Sequence, residues 1–137
     1  MEDFRSLIDA IHRVLPESQL KPVSTSNLLA IQRTYPDVPN HYLSFLQNVG
    51  FGSLGDSYFA IYSGLIKPGD IYGGNTPEAL ANILFFGDNF AGWMVGFDKR
   101  NDWQIVGVDS GRPIPTIQEE KTIAEFIAKE VANCEPE

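Results

Sequence analysis

The spacing of the apolar residues changes along the chain, and this change limits the folds that the sequence can adopt. Four segments carry apolar residues every three or four positions, as on one face of an α-helix; they span residues 4–15, 28–35, 42–49 and 123–131. Between residues 58 and 108 the apolar residues instead form short runs that are separated by Gly and Asp. Such runs, rich in aromatic and β-branched residues, are typical of β-strands.

The short runs predict strands that are joined by tight turns. Residues 58–62 and 83–86 are the first two runs, and residues 93–97 and 104–108 flank the polar segment 98–102. Two strands joined by so short a loop must be antiparallel. We therefore expect an antiparallel hairpin over residues 93–108.

Together these patterns predict an α+β fold in one domain, residues 1–137. We expect a central, mostly antiparallel sheet of about five to six short strands, flanked by N-terminal helices and one C-terminal helix. Pro113 and Pro115 restrict residues 114–117 to an edge or irregular strand. Whether that edge pairs with a second copy stays open at this point, and so does the oligomeric state.

The charge of the chain excludes some partners. Ten Lys and Arg oppose 18 Asp and Glu, for a net charge of −8. Such a charge repels nucleic acid and anionic membranes, and it attracts basic surfaces. Cys134 is the one cysteine, so no intramolecular disulfide can form, and residues 1–5 contain acids and no apolar signal segment. We expect no membrane association and a cytoplasmic location.

The residues that carry catalysis or bind metals are not grouped in the sequence. His12 and His41 stand alone, and Cys134 has no neighbouring base. Residues 50–55 read Gly-Phe-Gly-Ser-Leu-Gly, but the dinucleotide motif of this form follows a strand, whereas this segment follows a predicted helix. We therefore predict no catalytic residue, no metal and no cofactor, and a binding module rather than an enzyme.

Two sets of side chains are candidates for contact with a partner. Six acids lie in turns or at strand ends, where they can bond local backbone or together attract a cationic partner: Asp56, Asp70, Asp88, Asp98, Asp102 and Asp109. Five aromatic residues are of types that serve either the core or an interface: Tyr58, Tyr62, Tyr72, Trp93 and Trp103.

Three landmarks resemble the SMI1/KNR4 (SUKH) family. Residues 35–52 contain Tyr-Pro-Asp-Val-Pro, then Tyr-Leu-Ser-Phe-Leu and an Asn/Gly-rich turn, similar to the family's helix entry. Residues 86–98 resemble its Gly-Asp turn and the strand that ends in Asp, and residues 126–127 correspond to its closing helix. The resemblance implies an α+β fold without enzymatic activity. Many bacterial members are immunity proteins that neutralise a toxin, whereas fungal members are regulatory scaffolds with long disordered extensions; the compact chain points to the bacterial type.

The leading hypothesis is therefore a cytoplasmic immunity protein that covers a basic cognate toxin, for example one that acts on nucleic acid. The residues expected to contact the partner are Asp56, Tyr72, Asp88, Asn89 and Trp93. One alternative is a regulatory or scaffold interaction domain without a toxin partner. Another is a small-molecule-binding or hydrolytic protein that uses the acids at the strand ends, which would require converging acids in a pocket.

Overall fold

The computed structural model describes residues 3–135, which form five helices and seven strands. The helices are α1 (Arg5–Val14), α2 (Thr25–Thr34), α3 (Asn40–Asn48), α4 (Pro68–Tyr72) and α5 (Ile123–Asn133). The strands are β1 (Gln19–Lys21), β2 (Phe51–Leu54), β3 (Phe59–Ile66), β4 (Ile83–Asp88), β5 (Trp93–Asp98), β6 (Gln104–Asp109) and β7 (Arg112–Ile117). Two short 3-10 turns, Gly73–Asn75 and Glu78–Leu80, lie between α4 and β4.

The strands form one sheet in the order of the chain, β1 to β7, and every neighbouring pair is antiparallel. The α+β class, the antiparallel sheet and the β5–β6 hairpin are confirmed. The sheet has seven strands rather than about five to six. The additional strands are β1 and β2, where the apolar pattern predicts no strand.

Close backbone contact explains why the apolar pattern does not reveal β1 and β2. Gly52 has φ +135°, and a Cβ at this position would lie 2.0 Å from the carbonyl oxygen of Gln19. Gly50 has φ +107°, and a Cβ there would lie 2.3 Å from the carbonyl oxygen of Lys21. The two strands therefore pair through main chain that only glycine permits, and they need no apolar alternation.

The larger core lies between one face of the sheet and helices α1, α3 and α5. Aromatic rings fill it: Phe86 and Phe97 have centroids 5.0 Å apart, and Tyr42 lies 5.3 Å from Phe97. Phe126 of α5 reaches Phe59 at 5.7 Å and Phe86 at 5.8 Å. Rings at these separations add to the stabilisation that burial provides.

The opposite face of the sheet carries a smaller core, which the connection between β3 and β4 covers. Leu80 of this connection is fully buried, and Tyr72 is half-buried. They pack with buried residues of the central strands: Ile83, Phe85, Met94, Val106 and Val108. Residues 68–70 of the same connection begin the short helix α4. Both faces of the central sheet are thus covered.

The two edges of the sheet offer little for pairing with another strand. β1 has three residues and is followed by Pro22. β7 lies at the other edge, as its prolines predict, and neither Pro113 nor Pro115 has an N–H to donate. Short edges and prolines are features that prevent edge-to-edge association.

The helices are short throughout the described chain. The longest, α5, has 11 residues and spans about 16 Å, roughly half of a bilayer's hydrocarbon core. Within residues 3–135 no helix combines the length and apolar character that crossing a membrane requires.

The start of α5 is joined to α3 by a histidine. The Ile123 N–H donates to Nδ1 of His41 at 3.3 Å, and the Glu125 N–H donates to Oγ1 of Thr122 at 3.1 Å. His41 therefore accepts one of the N–H groups that the first turn of a helix leaves unpaired. Burial lowers the pKa of His41, and the negative charge of Glu125 partly opposes this.

We predict that acid weakens the fold through His41. Because its pKa in the folded chain lies below the ordinary 6.5, the unfolded chain binds this proton first. The free energy that neutral His41 contributes to the folded state is fully present above about pH 6.5, and it is lost as the pH falls through the pKa of His41 in the folded chain. His41→Asn keeps an acceptor that does not titrate, so the urea midpoint of this variant should vary less between about pH 7.5 and 5 than that of the wild-type chain. His12→Asn on α1 is the control, and an unchanged pH slope in His41→Asn would contradict the assignment.

We also predict that Gly52→Ala destabilises the protein. The added methyl group meets the Gln19 carbonyl, and the positive φ disfavours alanine, so the free energy of unfolding should fall by more than about 2 kcal/mol. Gly74→Ala is the matched control, because no atom lies within 4 Å of a Cβ there. Equal urea midpoints for the two variants would show that the β1–β2 contact is looser than described.

Candidate functional site

Three turns lie at one end of the sheet, which we call the turn end. It consists of the β2–β3 turn (55–58), the β4–β5 turn (89–92) and the β6–β7 turn (110–111), together with the strand residues beside them. In an antiparallel meander every second connection returns to the same end. The Ser110 N–H donates to the Gly92 carbonyl at 2.7 Å and so links two of these turns directly.

The turn end contains four of the five residues that the sequence proposes for partner contact. Asp56 lies in the first turn, and Asn89 lies in the second. Asp88 ends β4 and Trp93 begins β5, on either side of that second turn. Tyr72, the fifth, does not lie there. It ends α4, which follows β3 at the opposite end, and its hydroxyl is buried without a hydrogen-bond partner in the described chain.

Asp88 is held by two hydrogen bonds. The Tyr62 hydroxyl donates to Oδ2, and the Phe90 N–H donates to Oδ1 at 2.7 Å. Burial raises the pKa of Tyr62, and the hydrogen bond to Asp88 and its negative charge raise it further, so Tyr62 stays a donor. Asp88 therefore contributes negative charge to the turn end while it fixes the turn that follows.

Asn89 fixes the same turn from the other side. Its Oδ1 accepts from the Ala91 N–H at 2.9 Å and from the Trp93 N–H at 3.1 Å. Its own N–H donates to the Trp93 carbonyl at 3.0 Å. Side chains of this type replace backbone partners in tight turns. The result is a turn whose conformation is set before any partner arrives.

Trp93 is half-buried and belongs largely to the core. Its ring lies over Gly107 of the adjacent strand, where a Cβ would be 2.4 Å from the indole. It also lies 6.2 Å from the ring of Phe126. Trp93 thus packs β5 and β6 against α5, and this packing accounts for its position without any contact to a partner protein.

Asp56 is the acid of this set whose side chain is exposed at a turn tip. The backbone around it is anchored, because the Gly55 N–H donates to Ser18 Oγ at 2.7 Å. Nearby, the Tyr58 hydroxyl donates to Oε2 of Glu130 at 2.9 Å, which adds a carboxylate from α5 to the same end.

Asp109, which ends β6, is a further acid at the turn end and one of the six that the sequence places in turns or at strand ends. It lies directly across from Trp93 and from Arg112 in the strand register. Its Oδ1 accepts from the Gly111 N–H at 2.9 Å, as expected for an aspartate in a tight turn.

Phe90 is the residue of the turn end that sequence reasoning missed. Its side chain is 54% exposed, and its backbone has φ +63°. The Asp-Asn pair before it and Gly92 after it are the signal that could have found it, because they mark a tight turn that must present its middle residue outward.

Two aspartates of the turn end bond to the backbone of the turns that they begin. Asp88 accepts from the Phe90 N–H, and Asp109 accepts from the Gly111 N–H. Within residues 3–135 no three His, Cys, Asp or Glu side chains are grouped to hold a metal ion. Comparison with protein-family models, curated proteins and solved structures found no match to this chain.

We predict that Tyr62 and Asp88 are energetically coupled. In a double-mutant cycle of Tyr62→Phe and Asp88→Ala, the hydrogen bond to a charged acceptor should give a coupling of about 1 to 2 kcal/mol in the free energy of unfolding. Tyr35→Phe combined with Asp88→Ala is the control, because Tyr35 packs against Trp103 at the other end of the sheet. A coupling near zero for Tyr62 would mean that Asp88 is not held as described.

Proposed function

We propose that this chain is a non-enzymatic protein-binding module that acts through the turn end. The observation that carries this proposal is the presence at one end of the sheet of an exposed aromatic ring, Phe90, and the carboxylates of Asp56, Asp88 and Asp109. Hydrogen bonds accepted by the side chains of Asp88, Asn89 and Asp109 hold two of the turns at this end. Ser18 anchors the turn that carries Asp56. Rigid turns lose little conformational freedom on binding, which favours affinity.

More specifically, we propose a cytoplasmic immunity protein that covers the active surface of a basic toxin. The resemblance to the SMI1/KNR4 family supports this choice, and so does the net charge of −8. Toxins that act on nucleic acid need cationic grooves, because they must attract phosphates. An acidic protein is drawn to such a groove and can associate about 10- to 1000-fold faster than a neutral one.

The experiment is co-expression with a toxin candidate encoded beside this chain, followed by binding of the purified pair. We expect growth to be rescued and the association rate to fall at least about 10-fold between low and physiological salt. Asp56→Lys should slow association. Asp37→Lys, which changes another exposed acid in the α2–α3 connection, should slow it much less.

Each other outcome of this experiment has a distinct meaning. A tight complex whose association rate ignores salt would overturn the electrostatic argument. Binding to a non-toxic protein, without rescue from any toxin, would favour the regulatory or scaffold alternative. Substrate turnover by the purified chain that is lost in Asp88→Asn would overturn the non-enzymatic proposal altogether.

A further inference from the structure

Phe90 differs from the other phenylalanines of the chain. All nine lie within the described residues. Seven are buried, namely Phe4, Phe45, Phe59, Phe85, Phe86, Phe97 and Phe126. Phe51 is half-buried, and Phe90 is 54% exposed. The core therefore does not account for a large apolar ring at position 90.

The backbone of Phe90 is also unfavourable for its residue type. At φ +63° it lies in the left-handed region, which glycine and asparagine occupy far more readily than bulky residues. The turn holds it there, because Asp88 accepts the Phe90 N–H and Asn89 accepts the N–H groups of Ala91 and Trp93. A ring that is largely exposed gains little burial to offset this cost.

The surroundings of Phe90 restrict what can cover it. The turn end carries negative charge from four acids, Asp56, Asp88, Asp109 and Glu130. A positive charge, that of Arg112, lies across from Asp109 in the strand register. Single-stranded nucleic acid could stack on the ring, but its phosphates would be repelled, as would anionic lipid headgroups. A protein surface with basic side chains meets no such penalty.

We propose that Phe90 is the apolar anchor of the turn end and seats in an apolar pocket of a partner protein whose rim carries Lys or Arg. This inference rests on the proposed function and names the chemistry of its partner. A buried aromatic anchor inside a polar rim is the usual composition of an interface hot spot. The acids then orient the partner, while the ring supplies most of the affinity.

The chemistry of this surface can be tested with a defined host. Fully amino-substituted β-cyclodextrin has an apolar cavity with a cationic rim, whereas unmodified β-cyclodextrin has the same cavity without charge. In an amide NMR titration, we expect the cationic host to shift residues 88–93 and to bind at least about fivefold more tightly than the neutral host.

The variants separate the ring from the turn. Phe90→Asn should abolish host binding and leave the fold intact, because asparagine tolerates φ +63°. Phe90→Gly serves as a second variant with the same expectation. Ile114→Asn and Ile117→Asn are controls, since these side chains are 58% and 64% exposed on β7, and they should keep host binding.

Several results would contradict the proposal that Phe90 is the apolar anchor. Equal binding of the two hosts, shifts centred outside residues 88–93, or full binding by the Phe90→Asn variant would each do so. So would binding of phosphatidylcholine vesicles that Phe90→Asn removes, because a lipid surface would then be the occupant.

The co-expression experiment distinguishes failure of the anchor from failure of the proposed function. If the wild-type chain binds the toxin, Phe90→Asn should weaken binding at least about 30-fold. Unchanged binding would overturn the anchor and leave the proposed function standing. The converse result is that the chain binds no toxin while Phe90 binds the cationic cyclodextrin. That result would contradict the proposed immunity function and support the proposal that Phe90 binds an apolar pocket with a basic rim.

Discussion

Antiparallel pairing of seven consecutive strands is the constraint on which the rest of this structure depends. Each strand pairs antiparallel with its neighbour in the chain, across short turns and across the longer helical connections alike, so alternate connections return to one end. Asp56 and Asp109 are far apart in the sequence, yet both lie at the turn end for this reason alone. A parallel crossover between β3 and β4, or between β5 and β6, would have sent some of these turns to the other end.

The same architecture leaves few places where a partner could bind. Three helices cover one face of the sheet, and the β3–β4 connection covers the other with Leu80. One edge strand contains Pro113 and Pro115, and the other has three residues. The proposed function therefore rests on the turns, where residues can vary without loss of the core.

The sequence predicts the parts of the fold that depend on apolar periodicity and misses the parts that depend on backbone contact. The β5–β6 hairpin follows from two apolar runs around a polar loop, and its prediction is correct. The β1–β2 pairing depends on Gly50 and Gly52, whose close contacts leave no apolar pattern. At the candidate site, turn chemistry correctly predicts a turn at Asp88 and Asn89, whereas Tyr72 is chosen for its residue type alone, which does not indicate its position.

Phe90 shows why the site was harder to predict than the fold. A phenylalanine in a sequence normally indicates core, and eight of the nine here are buried or half-buried. Its exposure depends on Asp88 and Asn89, whose side chains bond to the turn instead of to solvent. In the proposed interface, these two residues therefore act indirectly, by holding the ring in place. Residues that shape a surface and residues that touch a partner can thus be adjacent in sequence and still differ in role.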